Sequence, residues 1–160
     1  MMKTHLDPQD QLVAYPDELL ASPSASAVLE GMLTGSIDVV LRTSAGSFLV
    51  LDYKTNLFPN PEGQELMLGH YQHSAMTSAM IASHYPLQAL LYSVALHRYL
   101  SWRLPGYDPE DHLGGAGYLF VRGMGGPATP VVDGTPCGVF AWTPPASLVI
   151  AASDLLGGVF

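Results

Sequence analysis

The feature that most constrains the fold is a pair of apolar runs separated by the five residues "TSAGS". The first is Ile37 to Arg42 ("IDVVLR"), with "MLTGS" ahead of it, and the second is "FLVLDYKT". Both are rich in β-branched or bulky residues and alternate in steps of two, so both are predicted strands. The short turn makes them a β-hairpin, or at least antiparallel neighbours. Residues two apart on a strand share a face. Asp52 and Lys54 therefore point the same way as Phe48 and Val50, while Leu49, Leu51 and Tyr53 point the other way. Asp38 interrupts the apolar first run, and strand pairing would bring it near Asp52.

The remaining pattern fills in a sheet-and-helix domain. Residues 1–30 read as a polar lead-in, where Pro8, Pro16 and Pro23 leave room in "DELLASPSAS" for one short turn of helix at most. After the loop "NLFPNPEGQE", the stretch from about Gln64 to His84 is predicted helical, with Leu66, Met67, Tyr71, Ala75, Met76, Ala79 and Met80 recurring at three and four. Pro86 opens a stronger amphipathic helix in which Leu87, Leu90, Leu91, Val94, Leu96 and Leu100 are core candidates. "PGYDPEDHLGG" ends it, and Gly114 and Gly115 precede a third strand, "AGYLFVRG". "MGGPATPVVDGTPCG" reads as a loop with little structure of its own. "VFAW" is extended, and a final helix follows Pro144 and Pro145 with Thr143 placed to cap it. The order β, β, α, α, β, α predicts an α/β domain with a central mixed sheet flanked by helices.

Composition narrows the function. The chain of 160 residues carries 14 acidic and 6 basic side chains, a formal charge of -8, which argues against a self-sufficient nucleic-acid-binding module. It suits a metal site that neutralises carboxylates, or a catalytic piece whose grip on substrate lies elsewhere. Cys137 is alone, so neither a disulfide framework nor a thiolate metal site is expected, and its surroundings suggest a small buried residue. The N-terminus has no apolar run of the signal-peptide kind. A soluble cytoplasmic protein with no membrane partner is the expectation.

Like charges gathered in a partly apolar cleft call for a cation, and a hard divalent ion is the simplest resolution for Asp38 and Asp52. A lysine beside metal-bound carboxylates can orient an attacking water or stabilise charge on a phosphoryl group. The opposite reading, solvated residues at a strand rim, stays open on these three residues alone. Lysine occurs only at positions 3 and 54, so Lys54 is not one of many surface charges. Gln88 and Tyr92, four apart on an apolar helix, form a polar pair that could contact a nucleic-acid backbone or support the site. His70 and His73 are three apart but read better as solvated helix residues. His84 and His97 read as capping or packing residues. The aromatic residues sit at element ends, as packing rather than a base-stacking platform.

Taken together, "MLTGSIDVVLRTSAGSFLVLDYKTN", "YPLQALLYSVALHRYL", "GYDPEDHLGGAGYLFVRGM" and "GVFAWTPP" resemble the C-terminal nuclease domain of the RecB subunit of exodeoxyribonuclease V, in the PD-(D/E)xK superfamily. The resemblance covers roughly residues 30 to 158 and implies a restriction-endonuclease-like fold over residues 31–160. It implies Asp38 and Asp52 as Mg²⁺ ligands, with Mn²⁺ able to substitute, and Lys54 as the catalytic lysine. Gln88 and Tyr92 match its Gln-xxx-Tyr element, implied to contact DNA. The implied activity is Mg²⁺-dependent hydrolysis of DNA in double-strand break repair and recombination, with DNA and the other subunits of a RecBCD-like helicase–nuclease as partners. Two departures stand out: the upstream helix with its histidine ligand has no counterpart, since His5 lies outside that pattern, and no nucleotide-binding loop is present. A truncated or partial chain is the implied account. A catalytically inactive remnant or interaction module on the same scaffold is the alternative, and nothing in the glycine spacing supports a sugar- or nucleotide-binding enzyme using Asp38 as a base.

Overall fold

A computed structural model describes residues 1–22, 34–59 and 65–157. Pro23, the residues Met32 and Leu33 ahead of the first predicted strand, the middle of the "NLFPNPEGQE" loop and the last three residues lie outside the described residues, as does the expected boundary at residue 30. A four-stranded mixed sheet organises the rest, in the order β1-β2-β3-β6. Strands β1 (Val39–Arg42) and β2 (Phe48–Lys54) form the expected antiparallel hairpin, with Val39 opposite Leu51 and Arg42 opposite Phe48. Strand β3 (Leu113–Phe120), entered from the one-turn helix α5 (Pro109–His112), runs parallel to β2, and β6 (Val139–Trp142) returns antiparallel to β3.

Alternation along these strands sorts side chains to two unlike faces. Val50, Asp52, Ala116, Tyr118, Phe120, Phe140 and Trp142 share one face by register and are all buried. On the other face Leu41 and Tyr53 are exposed, and Leu49, Leu51, Leu119 and Val139 only half-buried. The helices account for the difference. α4 (Tyr85–Arg103) packs on β2 and β3, burying Ala89, Leu90, Val94, Leu96 and Leu100, and α6 (Ala146–Gly157) packs on α4 through the buried Leu148, Val149 and Ala152.

Four local expectations need correction. Residues 1–22 are not merely a lead-in: they form α1 (Met2–His5) and α2 (Tyr15–Ala21), the latter about two turns, and bury Met2, Leu6, Leu12 and Tyr15 in the main core. Pro16 opens α2 at a position that needs no amide donor, so it starts a helix there instead of preventing one. The segment is pinned to β6, where the Trp142 indole donates to Asp10 at 3.2 Å and the Gln11 amide to the Ala141 carbonyl at 2.6 Å.

The helix expected from Gln64 to His84 is broken. A 3₁₀ turn at Leu68–Tyr71 is separated from α3 (His73–Ala82) by an extended Gln72. The break drives Tyr71 into the core, where it stacks on Phe58 at 4.3 Å, donates to the Asn56 carbonyl at 2.8 Å and accepts from the Gly138 amide at 2.9 Å. These contacts outweigh helical periodicity.

Gly114 and Gly115 lie within β3 rather than ahead of it. At Gly115 (φ +95°) a Cβ would stand 2.7 Å from the Trp142 carbonyl oxygen, so a side chain is excluded there, beside the register shift between β2 and β3. The loop after β3 is also more ordered than expected: short 3₁₀ turns at Val121–Gly123 and Gly126–Ala128 lead to the small hairpin β4 (Val131–Val132) and β5 (Thr135–Pro136). A last detail concerns Thr143, which donates to the Gly114 carbonyl at 3.4 Å, while the Pro145 carbonyl takes the first helical bonds of α6. Cys137 is buried as expected, and burial pushes its thiol pKa up. Among the described residues no helix is long and apolar enough to cross a membrane.

The N-terminal segment is the most direct test of this core. Leu12 is fully buried, so Leu12→Ala is expected to cost about 3 kcal/mol of unfolding free energy, measured by urea denaturation. An effect within about 0.5 kcal/mol would mean that residues 1–22 do not belong to the folded unit.

Candidate active site

The site forms where β2 meets the first turns of α4. Period two sends Val50, Asp52 and Lys54 toward that helix, and Asp52 ends up 5% exposed. A carboxylate this dry requires a partner, and Lys54 supplies it, Nζ to Oδ2 at 2.6 Å, with its own side chain only 12% exposed. Nζ also donates to Gln88 Oε1 at 2.9 Å and sits 3.9 Å from the Tyr85 ring centroid. Tyr118, stacked on Tyr85 at 5.6 Å, backs the arrangement and donates to the Tyr85 carbonyl at 3.0 Å.

A relay of hydrogen bonds then crosses to the segment that leads into β1 and carries the second carboxylate. Gln88 Nε2 donates to the Tyr92 hydroxyl at 2.9 Å, and that hydroxyl donates to the Ser36 carbonyl at 2.6 Å. Two residues on, Asp38 is exposed and accepts from the Tyr53 amide through Oδ2 at 3.0 Å. Its side chain takes a β2 amide just where β1 has not yet begun. Asp38 immediately precedes Val39, the residue that pairs with Leu51, so it stands one residue short of the ladder at the Asp52 end. Burial, and then the charges of Asp52 and Asp38, hold the Tyr92 hydroxyl above its ordinary pKa, against the Gln88 bond that lowers it. Burial and the Asp52 charge likewise raise Tyr118.

Four of the five residues singled out from the sequence, Asp52, Lys54, Gln88 and Tyr92, thus lie in one network, and Asp38 stands beside it on the Tyr53 amide. The histidines stay out of it. His70 Nδ1 accepts from the Met67 amide, His73 stacks on Phe140, His84 meets the Tyr15 hydroxyl and His97 the Tyr107 hydroxyl. Among the described residues no group of three or more His, Cys, Asp or Glu gathers as a metal site. Two carboxylates still suit Mg²⁺, an ion that takes one or two from the protein and completes its shell with water and phosphate oxygens. Sequence reasoning missed Tyr85 and Tyr118 as members of the site. The register that puts Tyr118 beside Asp52 belongs to a parallel pairing across more than sixty residues, and no local pattern announces it.

Burial makes the ion pair structural as well as chemical. Lys54→Met strands a dry carboxylate and is expected to destabilise the chain by about 3 kcal/mol. Asp52→Asn combined with Lys54→Met should destabilise by clearly less than the sum of the single changes. A double-mutant cycle by chemical denaturation measures both, and strict additivity would mean that the pair is not formed.

No protein-family model matches the chain. Its sequence is 51% identical to RecBCD enzyme subunit RecB of Mycolicibacterium smegmatis over 156 residues, 98% of this chain and 14% of that protein. Against the RecB subunit of Mycobacterium tuberculosis identity is 50% over the same share of both. Against that of Escherichia coli it is 36% over 94% of this chain and 12% of the relative. The chain therefore spans a small part, about one seventh, of the length of these two mycobacterial relatives. Over nearly its whole length it is homologous to one segment of the RecB subunits.

Proposed function

We propose that this chain is the nuclease segment of a RecB-like subunit, with a PD-(D/E)xK core that hydrolyses DNA phosphodiester bonds in a Mg²⁺-dependent reaction. It would act in the cytoplasm, in double-strand break repair and recombination, within a helicase–nuclease whose other subunits deliver the strand. The observation that carries this reading is the buried Asp52–Lys54 pair, braced by Gln88 and Tyr92, with Asp38 held on the Tyr53 amide between them. A rim of solvated charges would have no reason to be dry, caged and tied to a neighbouring helix.

Asp38 and Asp52 would hold the Mg²⁺, which when bound supplies positive charge to a phosphoryl oxygen. The chain's own groups do the rest. Lys54 has three N–H bonds, and Asp52, Gln88 and the face of Tyr85 occupy its surroundings. To orient a water or meet a phosphate oxygen, it must exchange one of these contacts. The short path is to loosen the Asp52 bond while Gln88 and Tyr85 keep the ammonium in place. Tyr92 fixes the backbone two residues before Asp38, so the helix sets the spacing of the exposed carboxylate from the buried one. A formal charge of -8 leaves this segment a poor holder of DNA by itself, which fits a strand delivered by partner subunits.

The test is cleavage of a short linear DNA by the purified chain with Mg²⁺, beside chelator and the variants Asp52→Asn and Lys54→Met, each checked for a folded circular-dichroism spectrum. Cleavage should depend on the ion and fall by at least about a hundredfold in either folded variant. Cleavage that survives both substitutions would refute the assignment. A folded wild type that leaves DNA intact would favour an inactive scaffold or an interaction module.

A further inference from the structure

Six side chains bear a fixed positive charge, and five are committed or remote from the site. Lys3 pairs with Asp17, and Lys54 with Asp52. Arg98 is held by Ser153, through Nε to its hydroxyl at 3.0 Å and through a terminal nitrogen to its carbonyl. Arg42 lies over Phe48 at the far end of β2, about 20 Å from Lys54 along the strand. Arg103 lies over Trp102 at the end of α4, about 27 Å along the helix from Tyr85.

Arg122 differs from all of these. Lys54 pairs with Phe120 in the parallel ladder, and Arg122 follows two residues later. Its Nε donates at 3.0 Å to the carbonyl of Thr55, the residue after Lys54. The side chain is exposed, and among the described residues its terminal nitrogens make no hydrogen bond or ion pair. Closing the ends of β2 and β3 needs only Nε. A guanidinium fixed through that atom is oriented, and its remaining N–H bonds lie in one plane as a fork that matches two phosphate oxygens.

We infer that Arg122 is a phosphate-contacting residue that holds a nucleic-acid backbone beside Lys54. This rests on the nuclease reading and gives it a substrate contact that the charge total alone would not suggest. In a chain this acidic, one oriented guanidinium at the Lys54 end of β2 supplies local attraction where overall charge repels.

The experiment is fluorescence anisotropy of a labelled short oligothymidylate with the full chain in Ca²⁺ buffer, across a salt series. It compares wild type, Arg122→Gln, Arg122→Lys and, as a remote control, Arg103→Gln, with thermal melts to confirm folding. Arg122→Gln should weaken binding by about fivefold or more and reduce the salt slope by about 0.7, the share of one single-strand phosphate contact. Arg122→Lys should keep the slope while losing the Thr55 bond, and Arg103→Gln should change neither quantity. The inference is overturned if Arg122→Gln binds like wild type, if Arg103→Gln loses as much, or if the wild type shows no salt-dependent binding. It fails separately from the nuclease reading. Unchanged binding by Arg122→Gln with cleavage still lost in Lys54→Met removes only Arg122, whereas cleavage surviving Lys54→Met and Asp52→Asn removes the nuclease reading itself.

Discussion

A carboxylate taken out of water is the constraint around which the rest is arranged. Asp52 sits on the one sheet face that α4 covers, and an isolated charge there would neutralise or unfold the strand. Lys54 meets it from the next position on the same face. An ammonium in such a place needs fixing in its turn, which the Gln88 amide and the Tyr85 ring provide from the first turns of α4. The helix carries the arrangement on through Tyr92 to the backbone before Asp38. One buried charge thus ties together β2, α4, β3 and the approach to β1.

Much of this was legible in the sequence because strands and helices have different periods. Alternation in "FLVLDYK" put Asp52 and Lys54 on one face, and spacing by four put Gln88 beside Tyr92; both hold as hydrogen-bonded geometry. The hairpin followed from the short turn between two apolar runs. Tertiary demands account for the failures. Tyr71 leaves the helical pattern because Phe58, Asn56 and Gly138 offer it a buried place. The N-terminal segment looked polar because its apolar anchors, Met2, Leu6, Leu12 and Tyr15 with Leu19 half-buried beside them, are scattered. Such sparse anchors leave no periodic trace. Tyr85 and Tyr118 were visible as aromatics, but their place around Lys54 depends on a parallel register that only the whole fold defines.

The two carboxylates also divide by environment. Asp38 is wet and already bonded to a backbone amide, while Asp52 is dry and bonded to an ammonium. On the proposed metal-dependent reading, a cation arriving from solvent would meet Asp38 first and reach Asp52 only by competing with Lys54. That order would give the resident ammonium the part of a placeholder, which keeps the dry oxygen from closing onto another partner.

The parallel pairing of β2 with β3 has a kinetic side. Val50 meets Ala116 and Lys54 meets Phe120 across a separation of more than sixty residues, with α3 and α4 in between. The β1–β2 hairpin closes through a turn of a few residues and α4 is local, so both can form early in folding. Closure of the long loop comes at a larger entropic cost and therefore later. During synthesis Asp52 and Lys54 leave the ribosome well before the strand that completes their wall exists. Until β3 docks, the pair stays wet, and a chain stopped short of Tyr118 lacks one side of its site.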